Sequence, residues 1–165
     1  MVAAAPISAS DRAARLLGAD DLERVIAIDR AHTGRSRRHF FEKRFAAAKS
    51  RPQDFIHVGV YRGGALRGFA IARIHRGEFG EVQAVAVLDA IGVATENQEI
   101  GIGQALMAEL VDGMRRMGVA RLRSEVEWRS HDLLRFFDAS HFELAPRLAL
   151  ERSVTEPLAE ASEEE

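Results

Sequence analysis

The spacing of hydrophobic residues changes several times along the chain, and each change predicts a switch between strand and helix. Apolar residues at every second position, or in short unbroken runs, are typical of strands. Gly63-Gly64, between two such runs, predicts a tight hairpin. Strands are predicted at residues 13–17, 55–62, 65–74, 82–93, 121–128, 142–144 and 148–152.

Helical spacing, with apolar residues three and four positions apart, fills the intervals between these strands. Asp20 and Glu23 form a capping-box pattern ahead of a first helix. Ser36 is placed to cap a second helix. Two further helices are predicted, one over residues 103–117 and one that begins after Ser130.

The resulting order of elements is β-αα-βββ-α-β-α-ββ. Strands joined by short connections pair antiparallel, whereas the strand–helix–strand unit over residues 82–128 requires parallel strands. The sequence therefore predicts an α+β fold with a mixed, mostly antiparallel central sheet flanked by helices. Residues 11–154 are predicted to form this single domain, between a flexible N-terminus at 1–10 and an acidic disordered tail at 155–165.

Composition limits the chemistry. The chain has no cysteine, which excludes disulfides, thiolate metal sites and a cysteine nucleophile. Its six histidines show no metal-ligand spacing, so we expect no metal. The longest apolar stretch, residues 84–94, contains Asp89 and is too short to span a bilayer. We therefore expect a cytoplasmic protein without a membrane partner.

The charge balance argues against one further class of partner. Five of the 25 acidic residues lie within residues 156–165, so residues 1–155 carry 23 basic against 20 acidic side chains. An excess this small does not favour a nucleic-acid surface. We expect no nucleic-acid partner.

The segment that is most informative about function joins a strand to an amphipathic helix, over residues 87–106. Two glycines, Gly101 and Gly103, stand where the helix begins. Backbone N–H groups in the first turn of a helix have no intrahelical partner, and the helix dipole adds positive potential there. Glycines let a phosphate approach that backbone closely, so the segment predicts an anion site.

Two common phosphate loops do not fit this segment. A dinucleotide-binding loop places its first glycine at the strand end, but here Gly101 lies eight residues beyond Val93, and Leu106 occupies the third, small position. A Walker loop needs a Gly-Lys-Ser/Thr ending, which is absent. The pattern Arg/Gln-x-x-Gly-x-Gly/Ala does match Gln98, Gly101 and Gly103 in register. A helix that merely starts at a glycine is the structural alternative.

This pattern resembles the coenzyme-A loop of the GNAT superfamily of N-acetyltransferases. Upstream, residues 88–93 resemble the family's fourth strand. The resemblance extends from about Ala13 to Arg152, and it implies splayed fourth and fifth strands and an acyl-CoA-dependent N-acyltransferase. Downstream, the family's Asn-x-x-Ala-x-x-Leu-Tyr-x-x-x-Gly-Phe is resembled by Ser130-x-x-Leu133-x-x-Phe136-Phe137-x-x-x-His141-Phe142.

The resemblance implies where acetyl-CoA, the expected co-substrate, would bind. The main chain of Ile91 and Val93 would pair with the pantetheine arm between the splayed strands, and Ser130 and Phe137 would also contact the coenzyme. Glu99 stands where the family usually has glycine, an acidic neighbour that predicts weaker phosphate binding. The pyrophosphate would lie on backbone N–H groups of Gln98, Glu99, Ile100, Gly101, Ile102, Gly103 and Gln104.

Asp89 is the candidate general base, the group that takes a proton from the attacking amine. It interrupts an apolar run, where an unpartnered carboxylate is costly, and it matches a position that the family often gives to glutamate. Strand alternation would place it on the same face as Val87, Ile91 and Val93. An aspartate held by backbone or arginine for structural reasons is the alternative.

The resemblance implies direct attack of a primary amine on the thioester, with a small molecule or a peptide as acceptor. It is compatible with a homodimer.

Two departures from the family pattern support an alternative, a catalytically weak or silent CoA-binding or regulatory module of the same fold. Phe137 cannot donate a proton to the leaving thiolate as the family's tyrosine does, and Tyr61, the one tyrosine, is predicted on the hairpin. The second departure is Glu99. Glu125 and Glu127 could bind a cationic amine, with a solvated strand face as the alternative.

Overall fold

The computed structural model describes residues 12–77, 82–95 and 101–155. Its centre is a five-stranded sheet in the order β1-β2-β3-β4-β5. The first four strands pair antiparallel and β4 pairs with β5 in parallel, which confirms the predicted mixed, mostly antiparallel α+β fold. The strands are β1 Arg12–Leu16, β2 Phe55–Arg62, β3 Ala65–His75, β4 Val85–Val93 and β5 Arg121–Arg123.

Helices cover both faces of the sheet. A helix pair packs on one face, which we call the α1/α2 face, and two helices pack on the other, the α3/α4 face. Short 3-10 turns at Ala19–Asp21 and Pro52–Asp54 precede α1 and β2. The helices are α1 Leu22–Thr33, α2 Arg38–Ser50, α3 Ile102–Arg116 and α4 His131–Ala139. None of the helices in the described ranges is long and apolar enough to cross a bilayer.

Two of the predicted helix caps are wrong. Asp20 and Glu23 do not form the predicted capping box. Instead, the carboxylate of Asp21 accepts a hydrogen bond from the backbone N–H of Gly18 at 2.8 Å. Ser36 does not cap α2, which begins at Arg38 after Arg37. The guanidinium of Arg37 binds both oxygens of the buried Asp29, with Nε to Oδ2 at 2.9 Å, and this ion pair fixes where the second helix starts.

A β-bulge interrupts β4 at Asp89. Ala90 pairs with Ile71 and Leu88 pairs with Ala72, so Asp89 is the extra residue between them. Ile91, beyond the bulge, packs with the core of the α3/α4 face, whereas Asp89 contacts residues of the α1/α2 face. The prediction that Asp89 shares a face with Ile91 and Val93 is therefore wrong, because strand alternation does not continue through a bulge.

The last two predicted strands are also wrong. Residues 142–144 and 148–152 have no strand pairing, and Leu144 and Leu148 are 99% and 88% exposed. β5 has three residues against the eight predicted, so it offers little edge for a further strand to pair with. The predicted N-terminal segment and acidic tail fall almost wholly within residues 1–11 and 156–165, outside the described residues.

Candidate functional site

A gap opens between β4 and the chain that follows β5. The two strands pair over only three residues, Val85–Val87 with Arg121–Arg123, while β4 continues to Val93. Beyond this, the hydroxyl of Ser124 reaches the carbonyl oxygen of Leu88 at 3.5 Å. No strand within the described ranges pairs with this side of β4 after Val87. The predicted divergence of the fourth and fifth strands is thus present.

Polar main-chain groups line this gap. The amide of Ala94 donates to the carbonyl of Arg67 in β3 at 2.7 Å, so residues 94 and 67 form a hydrogen-bonded antiparallel pair. Such pairs alternate with non-bonded pairs, whose N–H and C=O groups point away from the partner strand. Ile91 and Val93 are opposite Ala70 and Gly68 in the alternate pairs, so their main chain points into the gap. We call these groups the open edge.

A histidine that the sequence did not single out contacts the open edge. Nε2 of His32, in the last turn of α1, lies 2.5 Å from the carbonyl oxygen of Val93. Because a carbonyl only accepts, Nε2 carries the proton in this contact. His32 thereby fixes the end of β4. A lone histidine near a helix end gave no signal for this contact, since 61 residues separate it from Val93.

The start of α3 lies near the end of β4, because a Cβ on Gly68, which pairs with Val93, would lie 2.8 Å from Ile102. Gly101 precedes the helix with φ of 99°, a left-handed conformation that a residue with a side chain adopts only under strain. Gly103 has a packing role, because a Cβ there would lie 2.7 Å from the ring of Phe136 in α4. Ile102 is buried and Gln104 is exposed. Gln98, Glu99 and Ile100 lie outside the described residues.

Arg67 was missed by the sequence reasoning, although it lies between the two ends of the motif loop. Its carbonyl binds Ala94 before the loop, and a Cβ on its neighbour Gly68 would lie 2.8 Å from Ile102 after the loop. Its Nε is buried without a hydrogen-bond partner in the described ranges. A buried guanidinium N–H without a partner is costly and fits a site for an anion. An arginine inside an apolar strand was the available signal.

Asp89 is held by two arginines. Arg44 of α2 donates from Nε to Oδ2 at 2.7 Å, and Arg73 of β3 donates to Oδ2 and Oδ1 at 2.6 and 2.8 Å. The Asp89 side chain is only 7% exposed. These bonds satisfy the buried carboxylate without any catalytic role, which supports the structural alternative. The role of Asp89 as general base stays a prediction.

His57 of β2 lies near this ion pair and is uncharged at neutral pH. Burial lowers its pKa to about 4, an effect that the nearby Asp89 opposes and Arg44 reinforces. The rings of Phe45 and Phe55 lie with centroids 5.5 and 5.6 Å from the imidazole. Its buried Nε2 has no hydrogen-bond partner in the part of the chain that the structure describes.

The remaining candidates have structural surroundings. Phe137 is buried on the α3/α4 face, with its ring centroid 4.6 Å from that of Phe142. Ser130 occupies the N-cap position of α4, but its side chain makes no capping hydrogen bond. Tyr61 donates to Oδ2 of Asp21 at 2.6 Å, and burial together with this bond raises its pKa. The hydroxyl group of Tyr61 is therefore engaged with Asp21.

Acidic residues follow β5. Val126 packs against the core of the α3/α4 face, while its neighbours Glu125 and Glu127 are exposed. These carboxylates therefore point away from that core. Among the described residues, no group of three or more His, Asp or Glu side chains could hold a metal ion.

The sequence matches a family model, and the fold matches solved structures. The model of the acetyltransferase (GNAT) family matches residues 22–142. No curated protein matches the sequence. Among solved structures, a transcriptional regulator from Bacillus halodurans C-125 superposes with a TM-score of 0.73 at 15% identity, over 86% of this chain and 99% of that one.

Two other similar structures are acetyltransferases. AAC(6')-Iy in complex with a bisubstrate analogue, CoA-S-monomethyl-acetylneamine, has a TM-score of 0.68 at 18% identity, over 86% of this chain and 97% of that one. A ribosomal-protein-alanine N-acetyltransferase from Brucella melitensis biovar Abortus 2308 has a TM-score of 0.67 at 16% identity, over 86% and 98% of the two chains. At these identities, the likeness shows a shared fold.

Proposed function

Because the chain belongs to the GNAT acetyltransferase family, we propose that it transfers an acetyl group from acetyl-CoA to a primary amine. The observation that carries the proposal is the open edge of β4, together with the glycine start of α3, which follows eight residues after Val93 in the chain. An extended ligand with amide groups can add to such an edge as a further strand would. The pantetheine arm of coenzyme A has two amides and fits this description.

The coenzyme phosphates would lie at the start of α3. Unpaired N–H groups of the first helical turn favour an anion there, and the left-handed Gly101 places no side chain at this point. Residues 95–104 contain two glutamates and no basic residue, so the loop itself supplies no cation. Arg67 would supply it, because its buried Nε lacks a partner in the described ranges and its backbone lies between the loop ends. Gln98, Glu99, Ile100, Gly103 and Gln104 would contribute main chain only.

The reaction would proceed by direct attack. The lone pair of the neutral amine forms a bond to the thioester carbonyl carbon, and the carbon–sulfur bond then breaks. A backbone N–H of β4 at the open edge stabilises the oxygen that becomes negative. The coenzyme leaves as a thiolate and takes a proton from solvent, since Phe137 has no hydroxyl group. The amine loses a proton, for which the sequence predicts Asp89 as the acceptor; solvent is the other acceptor, because both oxygens of Asp89 already accept hydrogen bonds from arginines.

The second candidate is a catalytically silent CoA-binding module. It is favoured by the replacement of the family's tyrosine with Phe137 and by the engagement of both oxygens of Asp89 with arginines. Thiol release from acetyl-CoA, measured with a broad panel of primary amines, distinguishes the two functions. Release above the rate without amine supports transfer. Saturable acetyl-CoA binding without such release would establish the silent module instead. The cytoplasmic location and the homodimer stay predictions.

A further inference from the structure

Two guanidinium groups and one carboxylate form a cluster on the α1/α2 face, beside the open edge. The cluster consists of Arg44, Arg73 and Asp89, and the one carboxylate accepts hydrogen bonds from both guanidinium groups. His57, which adjoins the cluster, is neutral. Because Arg44 shares this carboxylate with Arg73, the positive charge of Arg44 is only partly compensated and favours an anion beside it.

The guanidinium group of Arg44 has the geometry to bind that anion. Its Nε donates to Asp89, while Nη1 and Nη2 make no hydrogen bond to the described residues. The side chain is 24% exposed, and the ring of Phe40 lies 4.9 Å from its guanidinium carbon. These two contacts hold the guanidinium plane in one orientation. A planar guanidinium whose terminal nitrogens are open matches the geometry of a carboxylate.

The position of the cluster relates it to the reaction. Asp89 precedes Ile91 of the open edge by two residues, about 7 Å along a strand. Arg44 and Asp89 lie on the α1/α2 face, so a ligand bound to Arg44 would approach the gap from that face. The exposed Glu125 and Glu127, which follow β5, are available to attract an ammonium group on the opposite side of the gap.

On the basis of the proposed function, we propose that the acceptor is a primary amine that also carries a carboxylate, and that Arg44 binds this carboxylate. The amino group then lies at the open edge and the carboxylate lies at the cluster, a few ångströms away. The similar structure AAC(6')-Iy is named an aminoglycoside N-acetyltransferase, and aminoglycosides are polycations. The partly compensated positive charge of Arg44 disfavours them here.

The test compares amino acids with their own amides. Glycine, β-alanine and 4-aminobutyrate differ in the distance between the amino group and the carboxylate. Converting the carboxylate of each into an amide removes its negative charge and leaves the amino group in place. Amide formation makes the amine less basic, so more of it is neutral and intrinsic reactivity favours the amide. We expect at least one acid to exceed its amide in kcat/KM by about tenfold, the worth of one charge-assisted hydrogen bond.

Arg44→Gln is expected to remove this preference, so that the ratio of the kcat/KM values of acid and amide falls by about tenfold. Lys43→Gln removes the same charge from an exposed position one residue earlier on α2, and it should keep the preference. If Arg44→Gln unfolds, Arg44→Lys retains the charge but loses the planar fork, and it should reduce the preference in part. Equal kcat/KM values for acids and amides, or a preference that survives in Arg44→Gln, would overturn the inference while transfer itself stands.

A binding measurement separates this inference from the proposed function. If no acceptor releases thiol, 4-aminobutyrate and its amide are titrated into the full chain and followed by NMR. Stronger binding of the acid that is lost in Arg44→Gln supports the carboxylate site even where the transferase proposal has failed. Equal binding of both probes overturns the carboxylate site.

Discussion

Arg44 of α2 donates through Nε to Oδ2 of Asp89 at 2.7 Å, and this bond fastens the helix to the bulge of β4. Arg73 of β3 binds the same carboxylate from the neighbouring strand. A helix and two strands therefore meet at one buried charge. The bulge is what turns Asp89 toward the arginines and away from the face of Ile91.

Asp89→Asn should destabilise the protein, because two partly buried arginines lose their anion. We expect the free energy of unfolding to fall by about 3 kcal/mol, measured by urea denaturation. Asp132→Asn is the control, since Asp132 pairs with Arg135 at the surface and is 98% exposed. That variant should show no measurable change.

The same variant tests the catalytic role of Asp89. Both oxygens already accept hydrogen bonds, so we expect the pH profile of kcat/KM to keep its shape in Asp89→Asn. The sequence-based prediction of a general base requires the opposite result. Loss of the acidic limb of the profile, in a variant shown to be folded, would establish Asp89 as the base.

Gly68→Ala should move the start of α3 away from the sheet. A Cβ there would lie 2.8 Å from Cγ2 of Ile102 and 3.1 Å from the carbonyl oxygen of Gly92. We expect a loss of about 2 kcal/mol in the free energy of unfolding, together with weaker acetyl-CoA binding.

Gly113→Ala is the matched control within α3. Its Cβ would make only an ordinary contact, at 3.4 Å from Ile56, and alanine stabilises a helix relative to glycine. Thermal denaturation should show unchanged or slightly increased stability for this variant. A Gly68→Ala protein as stable as Gly113→Ala would contradict the close packing of α3 on β3.

His57 should make stability depend on pH. Its pKa is about 4 in the folded protein against 6.5 for an unperturbed histidine, so the unfolded chain binds more protons between these values. The contribution is fully present above pH 6.5 and is lost as the pH falls toward 4, at a total cost of about 3 kcal/mol. Urea denaturation across this range should show a smaller loss for His57→Gln. The exposed His131→Gln should behave as the wild type does, and an unchanged slope in His57→Gln would contradict the burial of this imidazole.

Arg67→Gln should weaken acetyl-CoA binding by about tenfold, because a charge-assisted contact with phosphate is lost. Binding of S-acetyl-pantetheine, which has no phosphate, should stay unchanged. Arg115→Gln removes a charge from the exposed side of α3 and should alter neither affinity. Equal loss for both ligands would mean that Arg67 supports the fold and does not bind phosphate.

Local patterns in the sequence predicted elements whose causes are themselves local. Gly63 and Gly64 have φ angles of 55° and 76°, as the predicted two-residue hairpin requires. Gly101 stands at the start of α3, as the motif indicated. Elements that depend on distant partners were not predicted. The length of β5, and whether residues 142–152 form strands, depend on which edges of the folded sheet are available for pairing.

The site shows the same division between local and distant causes. The open edge follows from the resemblance and from the β4–α3 connection. The partners of Asp89 lie 45 and 16 residues away, so no local pattern links them to it. Strand alternation also does not predict the bulge, which changes the face of the sheet to which the following residues of β4 point. His32 and Arg67 reach the site only through tertiary contacts.

Calorimetric titration of acetyl-CoA into the full chain tests the central claim most directly. The account predicts one saturable site in the wild type, which Gly101→Asp loses because the variant places a carboxylate at the start of α3, where the phosphates would bind. Gly118→Asp is the matched control, with the same added charge and a similarly left-handed φ of 69° at the other end of α3, and it should still bind. Absence of saturable binding in the wild type, or binding that Gly101→Asp retains, would contradict the account.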